Sequence, residues 1–347
     1  MKQYIVQSWP AVRTLALASL VGWLLSLSSL PLAWMIGAML ATASATFLKL
    51  PVDLPTKAHQ IVRTMVGMML GASITMELLL SVTQWWASLL GLFVVFAAMF
   101  LVGYIALRRI SGFSRASAVL CAIPGGIAEM ILLAGDAGAD QSRVSIVHAL
   151  RIALTILAMP FLLVWMGEYD GTSTQIANQV SLSVEDWFWM SVCLVLGLVA
   201  HRYRILPASL VLVPMLISGC LHVAGITDFL VPDFVTILVQ IFIGVHVGSR
   251  FQGITLATLS GALASAIVVV GVQISLACGA AILVSGVVNL DTTALMLAYA
   301  PGGLAEMSLI AVAADVESAF VGLHHLFRVL VALIAAPILI GWAKRAA

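Results

Sequence analysis

Glu129 and Glu306, His148 and His325, and Arg151 and Arg328 are ionisable residues set in apolar sequence, and the members of each pair stand the same distance apart. A carboxylate in such surroundings can hold a proton or a small cation, an imidazole can pass a proton near neutral pH, and a guanidinium needs a partner. The interval is that between Pro124-Gly125-Gly126 and Pro301-Gly302-Gly303, where 301 − 124 = 177. The stretch from Cys121 to Met130 thus returns as Ala298 to Met307. At the same displacement Asp140 falls on Glu317, Pro160 on Pro337, and Gly67 and Gly71 on Gly244 and Gly248. With a shift of one residue, Pro31 and Met39 fall on Pro207 and Met215. A duplicated, glycine-broken, ionisable motif in a membrane chain marks a working site.

Proline removes an amide hydrogen and glycine permits backbone angles that other residues avoid, so each Pro-Gly-Gly is expected to interrupt a helix. The helix restarts at once, with Glu129 and Glu306 in its first turn, where the dipole and free amides favour a carboxylate and would attract an anionic substrate. Two roles fit these glutamates: an ion-coupling group completed by unwound carbonyls, or a carboxylate that only caps its own broken turn. His148 with Arg151, and His325 with Arg328, are three apart and share a helix face. Glu129 with Arg151 and Glu306 with Arg328 are the natural ion pairs, serving either substrate binding or a lock on the broken loop. The histidines fit a proton relay or a plain hydrogen bond.

The elements that position these groups must be membrane helices. The chain is 62% hydrophobic and 9% charged, too few charges for a water-soluble surface, and a net charge of +1 offers no basic face for nucleic acid. Apolar runs long enough to cross a bilayer fall near 14–30, 32–50, 58–76, 82–107 and 144–166, and near 185–201, 207–225, 234–250, 256–285 and 319–343. The motif segments, 115–135 and 292–312, are left over. With ten spans and the N-terminus inside, the cytoplasmic edges collect Lys2, Arg13, Lys49, Lys57, Arg108, Arg109, Arg202, Arg204, Lys344 and Arg345 among others, while Glu168, Asp170, Glu185 and Asp186 face away. Twelve full spans would put the basic cluster from His201 to Arg204 outside, so ten spans with two re-entrant segments are favoured. An odd number of crossings per half makes the repeats inverted: residues 1–167 and 185–347, joined by a polar segment at 168–184. The expected fold class is an all-α polytopic membrane protein of two inverted repeats, about ten transmembrane helices plus two re-entrant, broken helical hairpins.

Other features point to packing. Cys121, Cys193, Cys220 and Cys278 lack metal or redox spacing and are expected as buried small hydrophobes. Gly67 with Gly71 and Gly244 with Gly248 suit close helix approach, Met65, Met68 and Met69 suit an apolar face, and Trp85, Trp86, Trp187 and Trp189 suit interfacial belts. His324, His246 and His222 have no counterpart in the other copy. No metal or flavin site is evident, so neither a cofactor nor an enzyme activity is expected.

Two copies of Pro-Gly-Gly-[Ile/Leu]-Ala-Glu-Met, each followed by an acidic residue and then His-x-x-Arg, resemble the membrane AbrB family of bacteria over nearly the whole length. That resemblance implies one of the family's two labels, a regulator of gene expression or an ammonia monooxygenase. The chain has no soluble DNA-binding part and no metal or flavin centre that would support either label directly. The expected function is an ion-coupled secondary transporter in the bacterial inner membrane, with both termini cytoplasmic, moving a small solute with H+ or Na+. Its binding residues would be Pro124, Gly125, Gly126, Glu129, His148, Arg151, Pro301, Gly302, Gly303, Glu306, His325 and Arg328. The alternative is a membrane sensor acting on genes indirectly. The bilayer is a partner and nucleic acid is not; a homo-oligomer is compatible by analogy alone.

Overall fold

The computed structural model describes residues 2–28, 30–167, 182–203, 208–288 and 290–345, and every regular element among them is helical. In chain order the α-helices are α1 (Lys2–Ser26), α2 (Ala33–Phe47), α3 (Thr56–Ala72), α4 (Met76–Ser81), α5 (Trp86–Arg109), α6 (Arg115–Ala122), α7 (Ile127–Ala137), α8 (Gln141–Trp165), α9 (Val184–Arg202), α10 (Ser209–Val223), α11 (Asp233–Ser249), α12 (Leu256–Val288), α13 (Thr292–Tyr299), α14 (Leu304–Ala313) and α15 (Ser318–Arg345). Most of the expected connecting segment, with Glu168 and Asp170, lies outside the described residues, as do Arg204 and Pro207.

Five helices, α5, α8, α9, α12 and α15, are long and apolar enough to cross a membrane, and a sixth span results if α3 and the segment Met76–Gln84 count as one. The chain is a helical membrane protein by that measure. The other apolar helices are shorter, α2, α10 and α11 among them. One departure from expectation is the 84° bend between α3 and α4. The apolar run predicts a continuous span over 58–76. Instead Ser73 closes α3 and the Thr75 side chain accepts the Leu78 amide, which starts a new helix at Met76.

Boundaries recur at the sequence displacement. α6 and α13 begin and end at equivalent residues, as do the starts of α7 and α14 and of α8 and α15. Local chemistry accounts for this. Ser114 and Asp291 occupy equivalent N-cap positions, accepting the amides of Ser117 at 3.2 Å and Ala294 at 2.8 Å. Asp140 caps α8 through the Arg143 amide at 3.1 Å, which assigns the acidic residue after the motif to helix initiation. Left-handed backbone also recurs: Gly138 (φ 66°) matches Asp315 (φ 54°), and Leu32 (φ 52°) matches Ala208 (φ 50°) at the one-residue shift. Leucine and alanine pay a steric penalty there that glycine avoids, so tertiary packing holds the turn.

The chain divides into two compact units, residues 1–82, 160–252 and 308–319, and residues 83–159, 253–307 and 320–347. In the first, α2 packs on α11 and α3 on α10. These contacts are reciprocal. Gly67 and Gly71 of α3 abut the carbonyl oxygens of Val211 and Met215 on α10, and Gly244 and Gly248 of α11 abut those of Met35 and Met39 on α2. A Cβ at any of the four would strike backbone, so the glycines are required by helix approach. In the second unit α5 packs on α6 and α12, and α12 on α13. Its core includes Val119, Leu120, Ile123, Met130, Val147, Ala332 and Ala336.

Two packing expectations need correction. Trp85 is buried, meeting the Phe320 ring edge-on at 5.1 Å, and does not join an interfacial belt; Trp86 and Trp187 are exposed. Cys121 and Cys193 are buried as expected, but Cys220 is exposed and Cys278 half-buried, on apolar helix faces that lipid can cover.

Candidate functional site

Both broken turns lie in the second unit, and their hydrogen bonds can be followed group by group. α6 stops at Ala122 and α7 restarts at Ile127, with Gly126 at its N-cap; α13 stops at Tyr299 and α14 restarts at Leu304. In an uninterrupted helix the amide of Pro124 would bond the Leu120 carbonyl, and that of Pro301 the Leu297 carbonyl, but proline has no such hydrogen. Those two carbonyls meet histidine instead: His148 Nε2 reaches Leu120 O and His325 Nε2 reaches Leu297 O, each at 2.9 Å. A carbonyl only accepts, so Nε2 carries the hydrogen in both rings. Each histidine replaces the donor that its proline lacks.

The arginines complete the same task. Arg151 donates Nη1 to Ile123 O at 3.0 Å and Nη2 to Gly125 O at 2.7 Å, so its fork grips the two carbonyls on either side of Pro124. Arg328 grips the carbonyls of Ala300 and Gly302, on either side of Pro301. The spacing of two planar donors suits a pair of carbonyls that no helix partner can reach. The expected ion pair between Glu306 and Arg328 does not form directly, because both terminal nitrogens of the fork are held by the unwound backbone. His148, Arg151, His325 and Arg328 are all buried.

The two glycines of each motif have separate roles. A Cβ on Gly125 would lie 3.0 Å from Ala332 Cβ, one turn beyond Arg328 on α15. The helix that grips the second broken turn therefore touches the first, and the two turns are neighbours. Gly302 instead packs under Met307. Gly126 and Gly303 leave room for a carboxylate: Glu129 Oε2 and Glu306 Oε2 fold back into the space their Cβ atoms would need. That places each glutamate at N3 over its own N-cap, the geometry of half a capping box.

The surroundings of the two turns differ. Glu129 is exposed, whereas Glu306 is buried at 7% exposure. Ala122 O receives Gln273 Nε2 of α12 at 3.3 Å. Its counterpart is Tyr299, whose hydroxyl donates to Ser88 O of α5 at 2.8 Å. Ser88 Oγ also meets His324 Nε2 at 2.9 Å, and His324 Nδ1 meets Phe320 O, which gives the unmatched histidine a packing role. Sequence reasoning singled out neither Gln273, Ser88 nor Tyr299; all three are lone polar groups on apolar helices, and that was the available signal.

Sequence reasoning also missed a basic cluster in the first unit. His59 of α3 stacks on His246 of α11 with ring centroids 3.9 Å apart, and Arg250 Nη2 lies 3.0 Å from His246 Nε2. The partners come from different halves, so spacing along the chain carries no sign of it. Among the described residues no group of three or more His, Cys, Asp or Glu side chains is placed to hold a metal ion.

Comparison with known proteins places the chain in a family. A family profile described as "Transition state regulatory protein AbrB" matches residues 34–344. The chain is 25% identical to "Uncharacterized protein YhjN" of Bacillus subtilis (strain 168), covering 93% of this chain and 90% of that protein. It is 24% identical to "Putative regulator AbrB" of Escherichia coli (strain K12), covering 96% of this chain and 95% of that protein. No solved structure matches. The chain belongs to the AbrB family.

Proposed function

We propose that this AbrB-family chain is a secondary transporter of the bacterial inner membrane, moving a small solute coupled to H+ or Na+. In this reading ten helices span the bilayer with both termini in the cytoplasm, and the two broken segments enter from opposite faces as parts of inverted repeats. The observation that carries it is the pair of adjacent unwound turns, each gripped by a buried arginine and each followed by a glutamate. Non-helical backbone at membrane depth is tolerated where it lines a cavity or is held by protein, and transporters bind solutes at such breaks. The reciprocal glycine contacts between α3 and α10 and between α11 and α2 support a twofold relation of the halves. Because the terminal nitrogens of the arginine forks are held by backbone carbonyls, the glutamates are the groups left to exchange an ion, and exposed Glu129 is the better placed. No enzyme activity is proposed, and any homo-oligomer would be built on this fold.

A thermal-shift screen of metabolites on the purified protein identifies the solute class, and counter-flow uptake into proteoliposomes then tests transport. Flux that is lost in Glu129→Gln while thermal stability is kept supports the proposal. Full flux in both Glu129→Gln and Glu306→Gln overturns it.

A second reading, a membrane sensor that affects genes without touching nucleic acid, is favoured by the name of the Escherichia coli relative and by both carboxylates lying folded on their own turns. Ligand binding without flux in the same vesicles would select it.

A further inference from the structure

The first unit holds a cavity of 480 Å³ between the beginning of α3 and the end of α9, lined by Lys57, Gln60, Ile61, Leu198, His201 and Arg202. Lys57, His201 and Arg202 are exposed, and the other three are half-buried. The polar lining is an ammonium, a guanidinium, an imidazole and an amide, with no carboxylate among the six. Two of these groups have an ordinary explanation: His201 and Arg202 occupy the last turn of α9, where basic residues offset the negative end of the dipole. Lys57 has none. It stands in the first turn of α3, where the dipole disfavours a cation, and Pro55 supplies no side-chain cap to the free amides there. The Lys57 ammonium and the Arg202 guanidinium line one cavity with no lining carboxylate to offset them, which suits an anion. Ile61 and Leu198 add an apolar wall, and the volume exceeds what a bare inorganic anion fills.

We propose that this cavity binds a phosphate group, borne either by a soluble anion or by the headgroup of an anionic lipid. The arginine fork supplies directional donors and the lysine a point charge, a combination matched to several phosphate oxygens. The proposal does not depend on transport at the motif turns, and its failure would leave that reading untouched.

The test uses the full chain in uncharged maltoside detergent, titrated with inorganic phosphate against matched chloride while thermal stability is followed. In parallel, native mass spectrometry counts lipids retained from nanodiscs of phosphatidylglycerol and of phosphatidylcholine. Stabilisation by phosphate supports the site with a soluble ligand, and selective retention of phosphatidylglycerol supports it with a lipid. In either case Lys57→Gln combined with Arg202→Gln is expected to weaken binding roughly tenfold or more. Lys49→Gln combined with Arg109→Gln, the same charge change elsewhere, is expected to retain it. If the Lys57 and Arg202 double variant does not fold, the Lys57→Gln and Gln60→Leu single variants make the same comparison. Indifference to both phosphate and phosphatidylglycerol, or variants that bind like the unaltered chain, overturns the proposal.

Discussion

The first broken turn, at Pro124, and the second, at Pro301, share one set of backbone bonds and differ in nearly everything around them. In both, histidine answers the carbonyl that proline orphans, an arginine fork spans the carbonyls flanking the proline, and a glutamate folds over the N-cap glycine. Around the first turn the carboxylate is exposed and Gln273 steadies the end of α6. Around the second the carboxylate is buried and Tyr299, Ser88 and His324 steady the end of α13. The duplicated part is the part that keeps unwound backbone satisfied inside a membrane protein, where helices gain no hydrophobic drive from meeting each other and depend on close packing and polar satisfaction. The part that diverged is access to the carboxylate, open at Glu129 and closed at Glu306; under the proposed function, ion exchange falls to Glu129 and anchoring to Glu306.

Removing an arginine fork should have the largest effect. Arg328→Met takes the fork from two buried carbonyls, and Arg151→Met takes it from Gly125 O and leaves Ile123 O with the Gly125 amide alone; each is expected to cost about 2–5 kcal/mol in reversible unfolding from mixed micelles. Lysine at either position should recover only part of this, because one ammonium cannot span both carbonyls. A large loss at one turn and none at the other would break the equivalence of the two locks.

Alanine at the N-cap glycines sharpens the contrast between the carboxylates. At Gly303 the new Cβ displaces a buried side chain, for an expected loss of about 1–3 kcal/mol. At Gly126 the exposed glutamate can swing away, and the loss should stay below about 1 kcal/mol. Equal losses would remove the distinction between an open and a buried carboxylate.

The proline–histidine relation can be isolated by a double-mutant cycle. His325→Leu should cost about 1–3 kcal/mol alone, and less in a Pro301→Ala background, where the restored amide can bond the Leu297 carbonyl. Additive losses in the unfolding measurement would refute the substitution of one donor for the other. Smallest is Tyr299→Phe, which deletes one bond to Ser88 and should cost about 0.5–1.5 kcal/mol in the same assay.

Much of this architecture was legible in the residues. The breaks at Pro124 and Pro301, the restart before each glutamate and the close approach at Gly67, Gly71, Gly244 and Gly248 follow from backbone chemistry that the chain displays directly. Partner choice was not legible. An arginine near a glutamate suggests an ion pair, yet unwound carbonyls made a stronger claim on the fork of Arg328, because a carboxylate can find other donors and these carbonyls cannot. The unequal burial of Glu129 and Glu306 could not be seen either, since identical motifs acquire different neighbours only in three dimensions. Trp85 carried an interfacial signature and became a packing residue against Phe320 for the same reason.

The proposed function requires the two turns to enter the membrane from opposite faces, and sided labelling of single cysteines tests this most directly. In a chain whose four natural cysteines are replaced, Arg109→Cys and Gly171→Cys are exposed in turn to a membrane-impermeant maleimide in intact and opened cells. A re-entrant first turn leaves one crossing, α8, between the two positions, so labelling from opposite sides is expected. Labelling of both from the same side would mean that the first motif crosses fully, and the inverted arrangement of the two turns would be contradicted.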